Sequence, residues 1–329
     1  MEFHYVVLLF VTSLTLTIIT SAILPQELYW QSMLPTTPMP NALRHLLPSG
    51  QKSSTKDTSK QANGMSFKDN AMVIDIGGID IDIGDGVSVD VPAILGSLNP
   101  FSYKYGPSKY ELRHNKNTTL FFLSKDLHPG TYMNLNLVRI SVEGKFLPRR
   151  VADMIPFSST NFSQILHKFS IKPNSTMSKI MKKTIKECEE EPTLEGEEKY
   201  CATSLEGMVD FITSKLGKKN IQALSTDRIE QQRFSIKQDV RMVGVKMVAC
   251  HPEIYAYPVF YCHKMHNAKA YVVPLVGTDG MKVKAVVVCH ADTSKWNPRH
   301  LAFQVLKVKP GTVPICHFLT ANHILFVAD

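Results

Sequence analysis

A Cys-His dipeptide occurs four times in the chain, as Cys250-His251, Cys262-His263, Cys289-His290 and Cys316-His317. Ten residues separate the first two pairs, and twenty-five separate each of the later ones. The chain holds only six cysteines, so four of them followed directly by His form a pattern rather than a coincidence. Cysteine offers a cross-link or a soft metal ligand, and neutral imidazole is a general ligand for transition metals. The flanking stretches, Val243 to Ala249, Tyr257 to Tyr261, Val283 to Val288 and Thr312 to Ile315, are rich in the Val, Ile, Tyr and Phe that favour strands. Successive side chains on a strand point to opposite faces, so each dipeptide sends its sulfur one way and its imidazole the other. If the four strands share one sheet, the sulfurs gather on one face as two disulfides. The imidazoles then gather on the other as a metal site. The plainer alternative has structural cysteines with histidines that merely sit at strand ends.

The elements that must position these residues begin with the compartment. Val6 to Ile19 is an apolar run broken only by Thr and Ser, and Thr20-Ser21-Ala22 offers small residues for cleavage. Residues 1–22 therefore read as a secretory signal peptide. The run is short for a membrane span and no later stretch is longer, so no stable membrane insertion is expected. An oxidising route makes disulfides the default for all six cysteines: Cys188, Cys201, Cys250, Cys262, Cys289 and Cys316. Twelve residues separate Cys188 from Cys201, and a local bridge there would close an acidic loop. The other four cysteines allow three connectivities. The sequons at Asn117, Asn161 and Asn174 are candidates for N-glycosylation.

Three segments precede the compact part. Residues 23–48 are rich in Pro, which disfavours regular helix, and carry Tyr29, Trp30, Met33 and Leu34 as an apolar handle that either docks or remains loose. Residues 49–118 read as a variable spacer. Within it, Met72 to Val91 alternates β-branched residues with Asp or Ser, a strand signature. Its Asp75, Asp80, Asp82, Asp85 and Asp90 match a calcium-binding repeat poorly, and a degenerate spacer is the better reading. The compact domain spans 119–329. Three amphipathic helices are expected in it, on Phe162/Ile165/Leu166/Phe169, on Met177/Ile180/Met181/Thr184/Ile185/Cys188 opened by Ser175 or Ser178, and on Leu205/Met208/Val209/Ile212/Leu216. Ser204 is the expected N-cap of the third and Gly217 its stop. The stretch from Arg233 to Val327 reads as mostly β, with a hairpin turn at Thr278-Asp279-Gly280. The fold class is α+β: a β-rich C-terminal domain with three helices behind a largely irregular N-terminal spacer. The net charge of +8 favours anionic partners such as acidic polysaccharide. The basic residues form no run, which argues against nucleic acid.

The spacing of the four dipeptides resembles the signature of the plant BURP domain. The resemblance runs from about Thr119 to the end and includes Phe121-Phe122, Asp126-Leu127-His128-Pro129-Gly130 and the stretch Glu197 to Leu205. The signal peptide, the Tyr29-Trp30 and Pro38-Met39-Pro40 segment and the spacer also resemble the family's plan. One departure is Phe326, where the family usually has Trp. An aromatic is kept, so the packing is expected to survive. The resemblance implies a protein of the secretory pathway, extracellular in the cell wall or vacuolar, acting in development or stress. It also implies copper coordination by His251, His263, His290 and His317, with His266 the first substitute ligand among His266, His300 and His323. Two activities follow from it. One is a non-enzymatic wall or vacuole protein that contacts cell-wall polysaccharide. The alternative is a copper-dependent autocatalytic peptide cyclase that crosslinks Tyr or Trp in its own N-terminal region, where Trp30, Tyr103, Tyr105 and Tyr110 are available. No repeated core peptide appears, which favours the first.

Overall fold

The computed structural model describes residues 26–48, 73–75, 80–82, 119–135, 144–192, 196–227 and 232–328. The proposed signal peptide, most of the spacer, Asn117, Tyr103, Tyr105 and Tyr110 lie outside the described residues. In the spacer, β1 (Val73–Asp75) and β2 (Asp80–Asp82) pair antiparallel, as the alternation predicts.

The rest is built from β3 (Phe121–Leu123), β4 (Tyr132–Leu135), β5 (Glu198–Ala202), β6 (Ile221–Leu224), β7 (Gln232–Ile236), β8 (Arg241–Gly244), β9 (Lys246–Glu253), β10 (Val259–Met265), β11 (Ala268–Gly277), β12 (Lys282–His290), β13 (Ile315–Phe318) and β14 (Ile324–Ala328). The helices are α1 (Gln26–Met33), α2 (Asn41–Arg44), α3 (Arg149–Ala152), α4 (Phe162–Lys168), α5 (Thr176–Glu189), α6 (Leu205–Leu216) and α7 (Leu301–Leu306). The fold is α+β with its strands in the C-terminal part.

Two antiparallel sheets dominate. One has the order β5-β10-β9-β14-β6. The other runs β3-β13-β12-β11-β7-β4, with β8 added beside β11. The four Cys-His strands therefore do not share a sheet, contrary to the simplest expectation. Each sheet receives two of them as adjacent antiparallel neighbours, β9 with β10 and β12 with β13. The ten-residue spacing suits a direct β9–β10 hairpin. The later spacings leave room for β11 and for α7 between Cys-His strands.

Alternation then sorts the core. Val248, Cys250, Phe260 and Cys262 pack outward against α6 and the N-terminal arm. Met247, Ala249, Met265, Val286, Val288, Leu325 and Val327 fill the space between the sheets. The second sheet curls around its own apolar face, where Phe122, Phe234, Ala285, Val287, Cys289, Cys316 and Phe318 meet. Its edges approach closely enough that Thr119 N donates to Asn134 O at 2.7 Å.

The three expected helices form as α4, α5 and α6. Ser175 caps α5 by accepting from Ser178 N, and Ser204 caps α6 by accepting from Gly207 N. Gly217 ends α6 at φ +85°, a left-handed conformation that glycine adopts without strain. The arm differs from its proline-based reading. Its first eight described residues form α1, because Pro25 precedes the helix and the next proline is Pro35, after it ends. Trp30, Leu34, Met39, Leu43 and Leu46 are buried, and Trp30 Nε1 donates to Thr37 O at 2.8 Å. Trp30 packs 6.0 Å from Phe326, which is itself fully buried. The Phe at this position does fill an aromatic packing site.

Candidate metal centre

Three disulfides are present: Cys188–Cys201, Cys250–Cys262 and Cys289–Cys316. In the last two the cysteines are direct cross-strand partners, with Cα atoms 4.0 and 3.9 Å apart. Each bridge pins the register of its strand pair. Because a slip of one residue would turn every side chain to the other face, pinning the sulfurs outward also pins the histidines inward.

The four histidines continue the inter-sheet face. His251 follows Ala249, His263 precedes Met265, His290 follows Val288, and His317 precedes Leu319. All are buried, at 6%, 7%, 5% and 4% exposure. They form two dyads. His251 Nε2 lies 3.1 Å from His263 Nε2, with ring centroids 5.2 Å apart. His290 Nε2 lies 3.2 Å from His317 Nε2, with the rings stacked at 5.4 Å. Both dyads extend the face lined by Ala249, Met265, Val288 and Leu319, which packs between the sheets.

The surroundings of the dyads differ. His263 Nδ1 donates to Glu197 Oε1 at 2.7 Å, and both groups are buried. His251 Nδ1 lies 2.7 Å from Nδ1 of His323, a residue in the turn before β14. His317 Nδ1 donates to the Phe318 carbonyl at 3.2 Å. Trp296 meets His290 edge-on at 5.0 Å and lies 4.8 Å from His300. His300 caps α7, its Nδ1 accepting from Ala302 N at 3.1 Å.

Burial is the main force on these imidazoles, because a charged ring loses its hydration there. It pushes His251 well below the usual histidine range, and His323 and His263 add to the effect. Burial and His317 do the same to His290. His317 falls to about 4 and His323 to about 3, each chiefly through burial. Near neutral pH His251, His290, His317 and His323 are uncharged, the form that binds metal.

The fit to a metal can be judged from the nitrogens. Two nitrogens about 2.0 Å from one ion lie roughly 2.8 Å apart at a right angle and roughly 3.3 Å apart at a tetrahedral angle. Both Nε2 pairs fall within that range. The Nδ1 atoms of His251, His263 and His317 are occupied by hydrogen bonds, which leaves their Nε2 atoms to turn toward the neighbouring ring. Among the described residues, no three His, Cys, Asp or Glu side chains converge on one point as a ready cage. The donor set is two bidentate imidazole pairs rather than one closed tetrad.

Sequence reasoning placed Glu197 in a solvated acidic loop. The structure turns it inward, while its neighbour Glu198 is the one that pairs with Lys215 and Lys264. Glu197 also borders a cleft of about 340 Å³ shared with Glu189, Glu190 and Glu191. His266, the expected substitute ligand, is exposed and reaches the Gly196 carbonyl at 2.9 Å instead. His323 takes its place beside the dyad. Its signal was parity: His323, Leu325 and Val327 share one face. Asn161 and Asn174 are both exposed.

Two disulfide-pinned Cys-His strand pairs facing across a sheet interface define a family, and the comparisons name it. The BURP domain family model matches residues 120–328, and the chain belongs to that family. It is similar to the BURP domain protein RD22 of Arabidopsis thaliana, 49% identical over 240 residues that cover 69% of this chain and 60% of that protein. It is also similar to BURP domain-containing protein 3 of Oryza sativa subsp. japonica, 47% identical over 240 residues that cover 70% and 55%. A longer match joins it to BURP domain-containing protein 5 of the same species, 38% identical over 319 residues that cover 93% and 87%. The chain thus spans less than two thirds of the first two relatives.

Proposed function

We propose that this BURP-domain protein binds copper through His251, His263, His290 and His317 and acts without catalysis in the cell wall or a vacuole. The observation that carries the reading is the pair of Nε2···Nε2 approaches, 3.1 and 3.2 Å, between buried imidazoles. A site of neutral nitrogen donors in bidentate pairs suits Cu(II), which favours tetragonal nitrogen ligation. Bound copper would supply Lewis acidity and one-electron chemistry. The chain's own residues hold the ring nitrogens in place and exclude bulk water, and burial keeps His251, His290 and His317 uncharged near neutral pH.

Three disulfides fit an oxidising secretory route, and exposed Asn161 and Asn174 are open to glycosylation there. The charge of +8 fits contact with acidic wall polysaccharide. Among the described residues, no helix is long and apolar enough to cross a membrane. The cyclase alternative loses one substrate candidate, because Trp30 is a core residue with 2% exposure.

The test is to load purified protein with Cu(II), desalt it, and measure both metal content and intact mass. Retained copper at unchanged mass is the expected result. Copper at the level of a variant with His251, His263, His290 and His317 all changed to Ala overturns the metal reading. A loss of two hydrogens to dioxygen, mapped to a Tyr or Trp of the N-terminal region, overturns the non-catalytic reading in favour of the cyclase.

A further inference from the structure

We propose that Glu197 and His323 are positioning residues that set the tautomers of His263 and His251, making the dyad on β9 and β10 the tighter of the two copper-holding pairs. This rests on the copper reading above. An ionised carboxylate can only accept, so the 2.7 Å contact places the proton of His263 on Nδ1 and the lone pair on Nε2, toward His251. For His251 to offer its own Nε2 lone pair, its proton must also sit on Nδ1, and the acceptor within reach is His323 Nδ1 at 2.7 Å. His323 thereby fixes which nitrogen of His251 faces the metal.

Both partners are buried and held by the fold. Glu197 immediately precedes β5, whose Lys199 is the cross-strand neighbour of His263. The Cys188–Cys201 bridge anchors that strand to the end of α5. His323 is held by its own backbone N–H, which donates to the Thr320 carbonyl at 3.1 Å. In the opposite dyad, His317 Nδ1 meets a neutral peptide carbonyl at 3.2 Å, whereas His263 Nδ1 meets a carboxylate at 2.7 Å. A charged acceptor behind an imidazole raises its basicity toward a metal, and loss of such a partner lowers metal affinity by about 10- to 100-fold.

The full chain tests this through Cu(II) affinity by competition with a chelator and through the Cu(II) EPR spectrum, with near-UV circular dichroism to verify folding. Glu197→Leu and His323→Leu are each expected to weaken Cu(II) binding by about 10- to 100-fold and to shift the EPR parameters. Glu197→Gln keeps an acceptor oxygen without the charge and should fall between Glu197→Leu and wild type. His323→Asn places an amide oxygen near the Nδ1 position and should restore most of the affinity lost in His323→Leu. Folded Leu variants with wild-type affinity and spectra overturn the positioning role while leaving the copper reading intact. A wild-type protein that retains no Cu(II) overturns the copper reading itself, and the positioning role with it.

Discussion

The two Cys-His strand pairs use the same local device and obtain different surroundings from it. In each, a disulfide joins directly opposed residues of adjacent antiparallel strands, and the histidines emerge on the other face. The β9/β10 pair backs onto α6 and the docked arm, and its imidazoles lean on Glu197 and His323. The β12/β13 pair backs onto the interior of its own curled sheet, and its imidazoles lean on a peptide carbonyl and an aromatic ring. The difference teaches that the dipeptide specifies the direction of each side chain, whereas what stands behind His263 and His251 comes from residues far away in the chain.

The comparison can be broken by removing one dyad at a time. His251→Ala with His263→Ala should cost more copper affinity than His290→Ala with His317→Ala, by about tenfold or more, measured by chelator competition. Equal losses would erase the asymmetry. The backing of each sheet gives a second contrast. Trp30→Ala should destabilise the protein by about 3–5 kcal/mol in denaturant unfolding, as should Phe318→Ala in the other sheet. Only the first should also make residues 26–48 sensitive to limited proteolysis, because only the arm depends on Trp30 for its seat.

The disulfides differ by loop length. Replacing both members of the Cys250–Cys262 bridge by Ala, with a sequence separation of 12, should cost about 3 kcal/mol. The Cys289–Cys316 bridge, with a separation of 27, should cost roughly 0.7 kcal/mol more when unfolding is followed in denaturant.

A further effect is that of pH on the metal-free protein. His317 and His323 have folded values of about 4 and about 3, below the unfolded value near 6.5. The unfolded chain therefore binds more protons, and stability falls as pH drops below about 6.5 until the folded values are passed. At pH 5 the loss should be on the order of 2 kcal/mol for each of these histidines. His323→Leu should flatten the dependence, as read from the denaturant midpoint against pH.

Much of this arrangement was legible before folding. The stripes of α4, α5 and α6 are local, and α5 and α6 carry their own caps in Ser175, Ser204 and Gly217, which act over a single turn. The Thr278-Asp279-Gly280 turn likewise states its own geometry, with Gly280 at φ +84°. Two local segments were less clear. Helix α1 was obscured by the prolines that flank it, Pro25 before and Pro35 after, and α7 is short and opened by the unusual cap His300. Glu197 was indistinguishable from Glu198 by composition, because which of two adjacent carboxylates turns inward depends on the pairing of β5 with β10.

The sequence by itself determined the four Cys-His pairs, their strand context, and the separation of sulfur from imidazole. The strand's two-residue period makes that separation a local property. Only the tertiary structure decided that the four strands divide between two sheets, that Cys250 meets Cys262 and Cys289 meets Cys316, and that His323 and Glu197 stand behind one dyad. Those are long-range contacts, set by how two twisted sheets bury their apolar faces against each other. No spacing along a single chain encodes which distant side chain arrives there.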